Sequence, residues 1–365
     1  MKKISLDKKF INRWLNRFEF KLKRTKLFSK PTFLTIEPTN SCNSRCIMCN
    51  KLKEYASSDF KAGFMSRDIF EKVLPWVSFA SSVCWGGFGE PFLHPNYGEW
   101  AEDLKNAGAN LTCFTNGINL KEFLSKKLVE IQFDSIHISL GGATEDVYKN
   151  IRGVNGLEKM LKNLEFLNGI KKDYNSKKPV VHFSLVAMNS VLPQLLDIVK
   201  LASKYNVESL EMPDLNIQYS ENIEECIWLN IEKAKEYIEE TKQLSNKLGL
   251  GFCSPTIKEK IDDCHDFFNL IQITYDGKIL SCSNEKFILG DLNLNTLAEI
   301  WNNESYLRLR NDYYKNGIYK TCPECTRWDK SRQTMLKPTI NLRGYDVNNE
   351  KIINEKFKEN KVLVF

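Results

Sequence analysis

The chain has 365 residues, 42% of them hydrophobic and 27% charged, which is ordinary globular composition and too long for one compact core of average size. Its net charge of +6 is uneven: residues 1–30 hold eleven Lys or Arg against two acids, so the remainder is slightly acidic and carries no nucleic-acid signature. No run of about eighteen apolar residues spans a membrane, and the lysine-bearing N-terminus has neither the apolar stretch nor the cleavage site of a secretory signal. The expectation is a cytoplasmic protein whose eleven cysteines stay mostly reduced.

Residues 1–30 read as a basic amphipathic N-terminal helix. Ile11, Trp14, Leu15, Phe18 and Leu22 recur at helical spacing, with basic residues between them. The stripe is expected to pack on the following domain; the rival occupants are an anionic membrane surface or an acidic partner. Strand-like stretches follow at 32–37, 81–87, 110–116, 135–140, 180–188 and 208–215. Helical stretches lie between them at 66–76, 97–108, 120–131, 157–170 and 192–205. Six β-then-α units in series predict an α/β fold of parallel strands with crossover helices over residues 31–228, its functional residues at the strand C-termini. A helical linker is expected over 229–263. Residues 264–335 form a second, cysteine-bearing unit with a hairpin turning at Asp276-Gly277. An irregular tail covers 336–365.

Just beyond the first strand stands "SCNSRCIMC", with Cys42, Cys46 and Cys49 in one loop. Such a triad could bind zinc with a distant fourth ligand. It could also hold a 4Fe–4S cubane through three of its irons, leaving the fourth iron open.

The triad follows "LTIEPTN". With "GGFGEP", "FTNG" and "ISLGGATEDVYKNIRG" it resembles the radical S-adenosylmethionine (SAM) superfamily over roughly residues 31–215. The resemblance implies a partial (β/α)6 TIM-like barrel in which SAM itself ligates the open iron. It also implies reductive cleavage of SAM to a 5′-deoxyadenosyl radical that abstracts hydrogen from a substrate. Glu90, in the loop carrying Gly87 and Gly89, would meet the SAM ammonium group. Ser139 and Arg152 would hold ribose or carboxylate, Asn189 the ribose, and Met48 would pack against adenine. Many relatives read Ser-Leu-Asp-Gly where this chain has Ser139-Leu140-Gly141-Gly142, so a carboxylate is missing here.

Cys264, Cys282, Cys322 and Cys325 suit structural zinc or a fully ligated cluster. With the "LGDLNLNTLAEIWN" between them, they resemble the shortened SPASM unit called a twitch domain, which implies one auxiliary 4Fe–4S cluster. The two-unit architecture is similar to that of 2-deoxy-scyllo-inosamine dehydrogenase. By that analogy the expected reaction is two-electron oxidation of a small polar molecule such as a sugar or cyclitol, with a flavodoxin or ferredoxin as reductant. Epimerisation with a cysteine hydrogen donor and modification of a short peptide are the alternatives. A non-enzymatic iron–sulfur carrier or zinc module is the remaining class. No catalytic acid or base is legible.

Overall fold

The computed structural model describes residues 7–215, 224–255, 265–282 and 288–317. In chain order these form α1 (Lys8–Lys21), β1 (Phe33–Ile36), α2 (Leu52–Tyr55), α3 (Arg67–Val77), β2 (Ser82–Trp85), α4 (Tyr97–Asn106), β3 (Leu111–Thr115) and α5 (Glu122–Glu130). Next come β4 (Ser135–Ser139), α6 (Glu145–Arg152), α7 (Leu157–Asp173), β5 (Val180–Ser184), α8 (Leu195–Lys204), β6 (Ser209–Glu211), α9 (Ile231–Lys247) and β7 (Gly251–Cys253). The last described elements are α10 (Asp266–Asn269), β8 (Leu270–Ile273), β9 (Lys278–Leu280), β10 (Ile288–Asp291), α11 (Leu297–Trp301) and α12 (Glu304–Asn316).

The described strands join one sheet in the order β10-β9-β8-β1-β2-β3-β4-β5-β6-β7. From β8 through β1 to β7 every pairing is parallel, and β8, β9 and β10 form an antiparallel extension. This is a partial TIM-like α/β barrel. The six expected strands are present, and the parallel array gains one strand at each edge. β7 lies inside the segment expected to be a helical linker, and β8, read as a hairpin arm, also pairs with β1. A three-residue Gly-Phe-Cys strand carries too little alternation to be seen by period.

The two faces of the sheet differ. Ile36, Val83, Trp85, Leu111, Cys113, Ile136, Ile138, Val181, Phe183 and Leu210 are buried in the core shared with the helices. The alternate residues Thr35, Cys84, Thr112, His137, Ser139, His182, Ser184 and Glu211 are only partly covered. A closed barrel fills its interior with branched apolar side chains. Here the inner face is largely polar, with Phe33 and Phe114 as its aromatic members, which suits a cavity for a guest that is mostly polar. On the helix side, Ser66 caps α3, and Ile69, Phe70, Val73, Trp76 and Val77 form its buried face. Phe70 meets Trp100 at 4.6 Å between ring centroids, and Trp85 stacks on Tyr97 at 5.4 Å. Each buried ring of this kind contributes about 1.5–3 kcal/mol.

The N-terminal helix is turned the opposite way from expectation. Its buried residues are Asn12, Asn16 and Glu19, whereas Ile11, Trp14, Phe18 and Leu22 are exposed. Specific hydrogen bonds outweigh the apolar stripe. Asn12 Nδ2 donates to the Lys30 and Phe79 carbonyls and its Oδ1 accepts from the Lys30 N–H. Asn16 Nδ2 donates to the Phe268 carbonyl and to Ser29 Oγ. The Glu19 carboxylate accepts the N–H groups of Phe28 at 2.7 Å and Ser29 at 3.0 Å. Without these side chains the 27–30 turn would bury unpaired backbone groups, a cost of about 1–3 kcal/mol each. Phe20 alone among the helix's aromatic residues turns inward, against Phe268, His265, Tyr313 and Tyr314.

Candidate active site

The cysteine loop leaves the C-terminal end of β1 and is pinned to the end of α6. The Arg45 and Ile47 N–H groups donate to the carbonyls of Arg152 and Ile151. A helix end leaves its last carbonyls without partners, and this loop supplies them. Gly153 closes α6 with φ +70°, and a Cβ there would stand 2.4 Å from the Arg45 carbonyl oxygen. Glycine therefore serves both the left-handed cap and the close approach of the loop. Cys46 is buried; Cys42 and Cys49 are half-buried, and their sulfurs accept from the N–H groups of Ser44 and Lys51 at 3.4 Å. Burial pushes the Cys42 thiol up to about 11 and the Cys49 thiol upward. Ligation must therefore displace protons. Among the described residues no three His, Cys, Asp or Glu gather about one metal-ion position. That is the requirement of a mononuclear site, whereas a cubane takes one thiolate on each of three irons.

The Gly-rich loop after β2 lies directly on this one. The Glu90 N–H donates to the Ser41 carbonyl at 2.7 Å, and a Cβ on Gly89 would fall 2.1 Å from the Thr39 carbonyl oxygen. A Cβ on Gly87 would meet the Glu37 side chain at 2.6 Å. Glu37, which the sequence did not single out, is buried and accepts from the N–H groups of Phe88 and Tyr275. It thus fastens the Gly-rich loop to the β8–β9 turn. Glu90 is buried, and its carboxylate accepts from Thr115 Oγ1 at 2.6 Å and from the N–H groups of Asn116 and Phe92. Burial raises its pKa, while these bonds and Arg152 pull it down. A carboxylate has about four acceptor sites, so three bonds leave room for one more donor.

Arg152 faces the same group of residues. Burial opposes its charge, but Cys46, Tyr148, Cys42 and Glu90 hold its pKa up. Its Nε is buried without a hydrogen-bond partner, as are Ser41 Oγ and Tyr148 OH. Buried donors left open in this way fit a guest bearing a carboxylate or an anionic cluster. The glycine pair after β4 makes room for it. A Cβ on Gly141 would stand 2.7 Å from Arg152 Cγ, and one on Gly142 would meet Val147 at 2.6 Å. Ser139 is half-buried at the end of β4, and Met48 packs at the margin of the core. Asn189 is more committed: its Nδ2 donates to the Glu224 and Cys226 carbonyls, so only Oδ1 remains for a ribose.

Of the second cysteine group, Cys282 is half-buried after β9; Cys264, Cys322 and Cys325 lie outside the described residues. Near Cys282 stands Tyr306, whose pKa is raised chiefly by burial with a contribution from that cysteine. Ser281 Oγ, Tyr306 OH and Arg310 Nη2 are buried and unpartnered. Arg310 is fully buried, with its guanidinium over the Trp301 and Tyr306 rings and Nε donating to the Phe267 carbonyl. Burial lowers its pKa to about 10. Open donors and a buried cation suit a cluster of negative charge.

Sequence reasoning missed the inner face of the barrel. His137 on β4 and His182 on β5 are directly paired in register and stack at 4.6 Å, and Phe114 covers His137 at the same distance. His137 Nδ1 lies 2.9 Å from Glu211 Oε2, and His182 Nδ1 lies 2.7 Å from Ser209 Oγ. Bonding to His137 lowers the Glu211 pKa, and burial lowers that of His182.

Residues 36–187 match the family model of the radical SAM superfamily, and residues 264–326 match that of an iron–sulfur cluster-binding domain, SPASM. With this fold and cysteine loop, the chain is a member of the radical SAM superfamily. More particularly, it is a radical SAM enzyme with a SPASM domain, and its cofactors are SAM, the 4Fe–4S cluster that binds it and an auxiliary 4Fe–4S cluster. The chain is 24% identical over 323 residues to the tungsten-containing aldehyde ferredoxin oxidoreductase cofactor-modifying protein of Pyrococcus furiosus, covering 81% of this chain and 88% of that one. It is 22% identical over 313 residues to the AdoMet-dependent heme synthase of Methanosarcina barkeri, covering 80% and 88%. Among solved structures, SuiB of Streptococcus suis bound to S-adenosylmethionine shares the fold, with a TM-score of 0.60 at 16% identity over 82% of this chain and 69% of that one. Among the described residues no helix is long and apolar enough to cross a membrane.

Proposed function

We propose that this enzyme oxidises a small polar molecule by two electrons, with Cys42, Cys46 and Cys49 holding the SAM-binding cluster and Cys264, Cys282, Cys322 and Cys325 the auxiliary one. Bound there, the cofactors supply a 5′-deoxyadenosyl radical and an electron acceptor. The chain's own residues set the rest. Glu90 and Arg152 orient the amino and carboxylate ends of SAM, and Ser139 with Asn189 Oδ1 holds the ribose. The substrate lies against the polar inner face, where it loses one hydrogen as an atom and the second as a proton and an electron. His137 takes that proton. As an ionised acceptor, Glu211 keeps hydrogen on Nδ1 and leaves the Nε2 lone pair as the base.

The single observation that carries this reading is the His137–Glu211 pair on a polar barrel wall. The two relatives described above, one a cofactor-modifying protein and one a heme synthase, support a small-molecule substrate over a peptide. A flavodoxin- or ferredoxin-like carrier would supply the reducing electron. The test is incubation of reconstituted enzyme with reductant, SAM and a metabolite extract in deuterium oxide. A product lighter by two hydrogens, without solvent label, is expected. A product of unchanged hydrogen count bearing solvent deuterium would instead mean epimerisation.

A further inference from the structure

We propose that the outward face of α1 docks on an anionic lipid surface. Phe10, Ile11, Trp14, Phe18 and Leu22 are between 43% and 59% exposed, and Trp14 stacks on Phe18 at 5.3 Å. Arg13, Arg17 and Lys21 are exposed along the same helix, in a segment where residues 1–30 carry eleven basic residues against two acids. The helix cannot roll to hide this face, because Asn12, Asn16 and Glu19 lock the opposite one to backbone groups of residues 28–30, 79 and 268. An aromatic-apolar stripe flanked by Lys and Arg is the pattern of a helix lying in a bilayer interface. Trp and Phe enter the boundary between headgroups and acyl chains, and the basic side chains meet anionic headgroups.

Position and shape favour lipid over a protein partner. α1 is anchored at Lys30, Phe79 and Phe268, which immediately precede the N-terminal ends of β1, β2 and β8. The cysteine loop leaves the C-terminal end of β1, about 13 Å further along the strand direction. A surface bound at α1 therefore leaves the mouth of the SAM site open. A specific protein interface needs roughly 1,000 Å² of complementary surface around a packed centre. Five half-exposed side chains on one helix face offer less, while a fluid interface can be penetrated by them.

Flotation of the full reconstituted chain with vesicles tests this. The chain is expected to float with phosphatidylcholine–phosphatidylglycerol vesicles, to stay behind with phosphatidylcholine alone, and to be released by added salt. Trp14→Ser with Phe18→Ser should lower the bound fraction at least about tenfold, and Arg13→Gln with Arg17→Gln and Lys21→Gln should do the same while removing the salt dependence. All these side chains are exposed, so unchanged melting temperatures separate lost docking from lost folding. A wild-type chain that ignores anionic vesicles, or variants that float as well as it does, overturns the proposal. So does saturable capture of an acidic protein by this face with vesicles left unbound.

Discussion

His137 and Glu211 meet across the intervening strand β5, with Nδ1 and Oε2 2.9 Å apart on the inner wall of the barrel. If this pair receives the substrate proton, His137→Gln and Glu211→Gln should lower product formation by about 10²–10⁴-fold, the usual range for a lost general base. Formation of 5′-deoxyadenosine should persist in both, because neither residue touches the cysteine loop. Product yield per deoxyadenosine, measured by mass spectrometry, is the readout; parallel loss of both products would assign the pair to SAM binding instead.

Arg152 should act on SAM and leave the iron alone. The Arg45 N–H bonds to the backbone carbonyl of Arg152, which any substitution keeps. Arg152→Gln is therefore expected to retain full iron content and to weaken SAM binding by roughly 10- to 100-fold, the worth of a charge-assisted hydrogen bond. Equilibrium binding of SAM alongside an iron assay checks both halves.

The reversed packing of α1 gives an inverted ranking of substitutions. Glu19→Ala leaves the buried Ser29 N–H and the part-buried Phe28 N–H without their acceptor and should cost about 1–3 kcal/mol. Trp14→Ser removes a large apolar side chain that is 59% exposed, and should change stability by no more than about 0.5 kcal/mol. Chemical denaturation of the two variants decides the order.

Acid should weaken the fold through two desolvated imidazoles, one buried and one half-buried. Burial depresses the pKa of His94 and His182 below the ordinary 6.5, so the unfolded chain binds protons that the folded chain refuses. Stability is then complete above that value and declines as pH falls through it. Glu211 adds a second loss at lower pH: its folded pKa lies below the ordinary 4.5, and its contribution disappears as it is protonated. His182→Asn should flatten the melting-temperature slope between about pH 5 and 7.

The strand series and the cysteine loop were legible because period-2 runs, turn residues and ligand spacing are local signals. α1 misled because two stripes share its period. Asn12, Asn16 and Glu19 recur at helical spacing as regularly as the apolar set, and only the backbone groups presented at residues 28–30 and 268 decide between them. "SIHIS" and "VVHFS" do place each histidine at the third position of neighbouring strands, a signal that was available. Their meeting with Glu211 depends on register, and which wall faces the cavity depends on where the helices pack. Glu37 and Arg310 were illegible for a similar reason: the N–H groups that Glu37 accepts belong to distant loops, and the aromatic faces around Arg310 come together only by packing.

The central claim is that Cys42, Cys46 and Cys49 hold the cluster that cleaves SAM. Anaerobic reconstitution followed by dithionite-driven 5′-deoxyadenosine formation measures it most directly. Wild-type chain should bind about eight irons, the content of two cubanes, and produce deoxyadenosine. The Cys42→Ala, Cys46→Ala, Cys49→Ala variant should keep about four irons and produce none, while Cys322→Ala with Cys325→Ala should still cleave SAM. Deoxyadenosine formed at the wild-type rate by the triple variant would contradict the account.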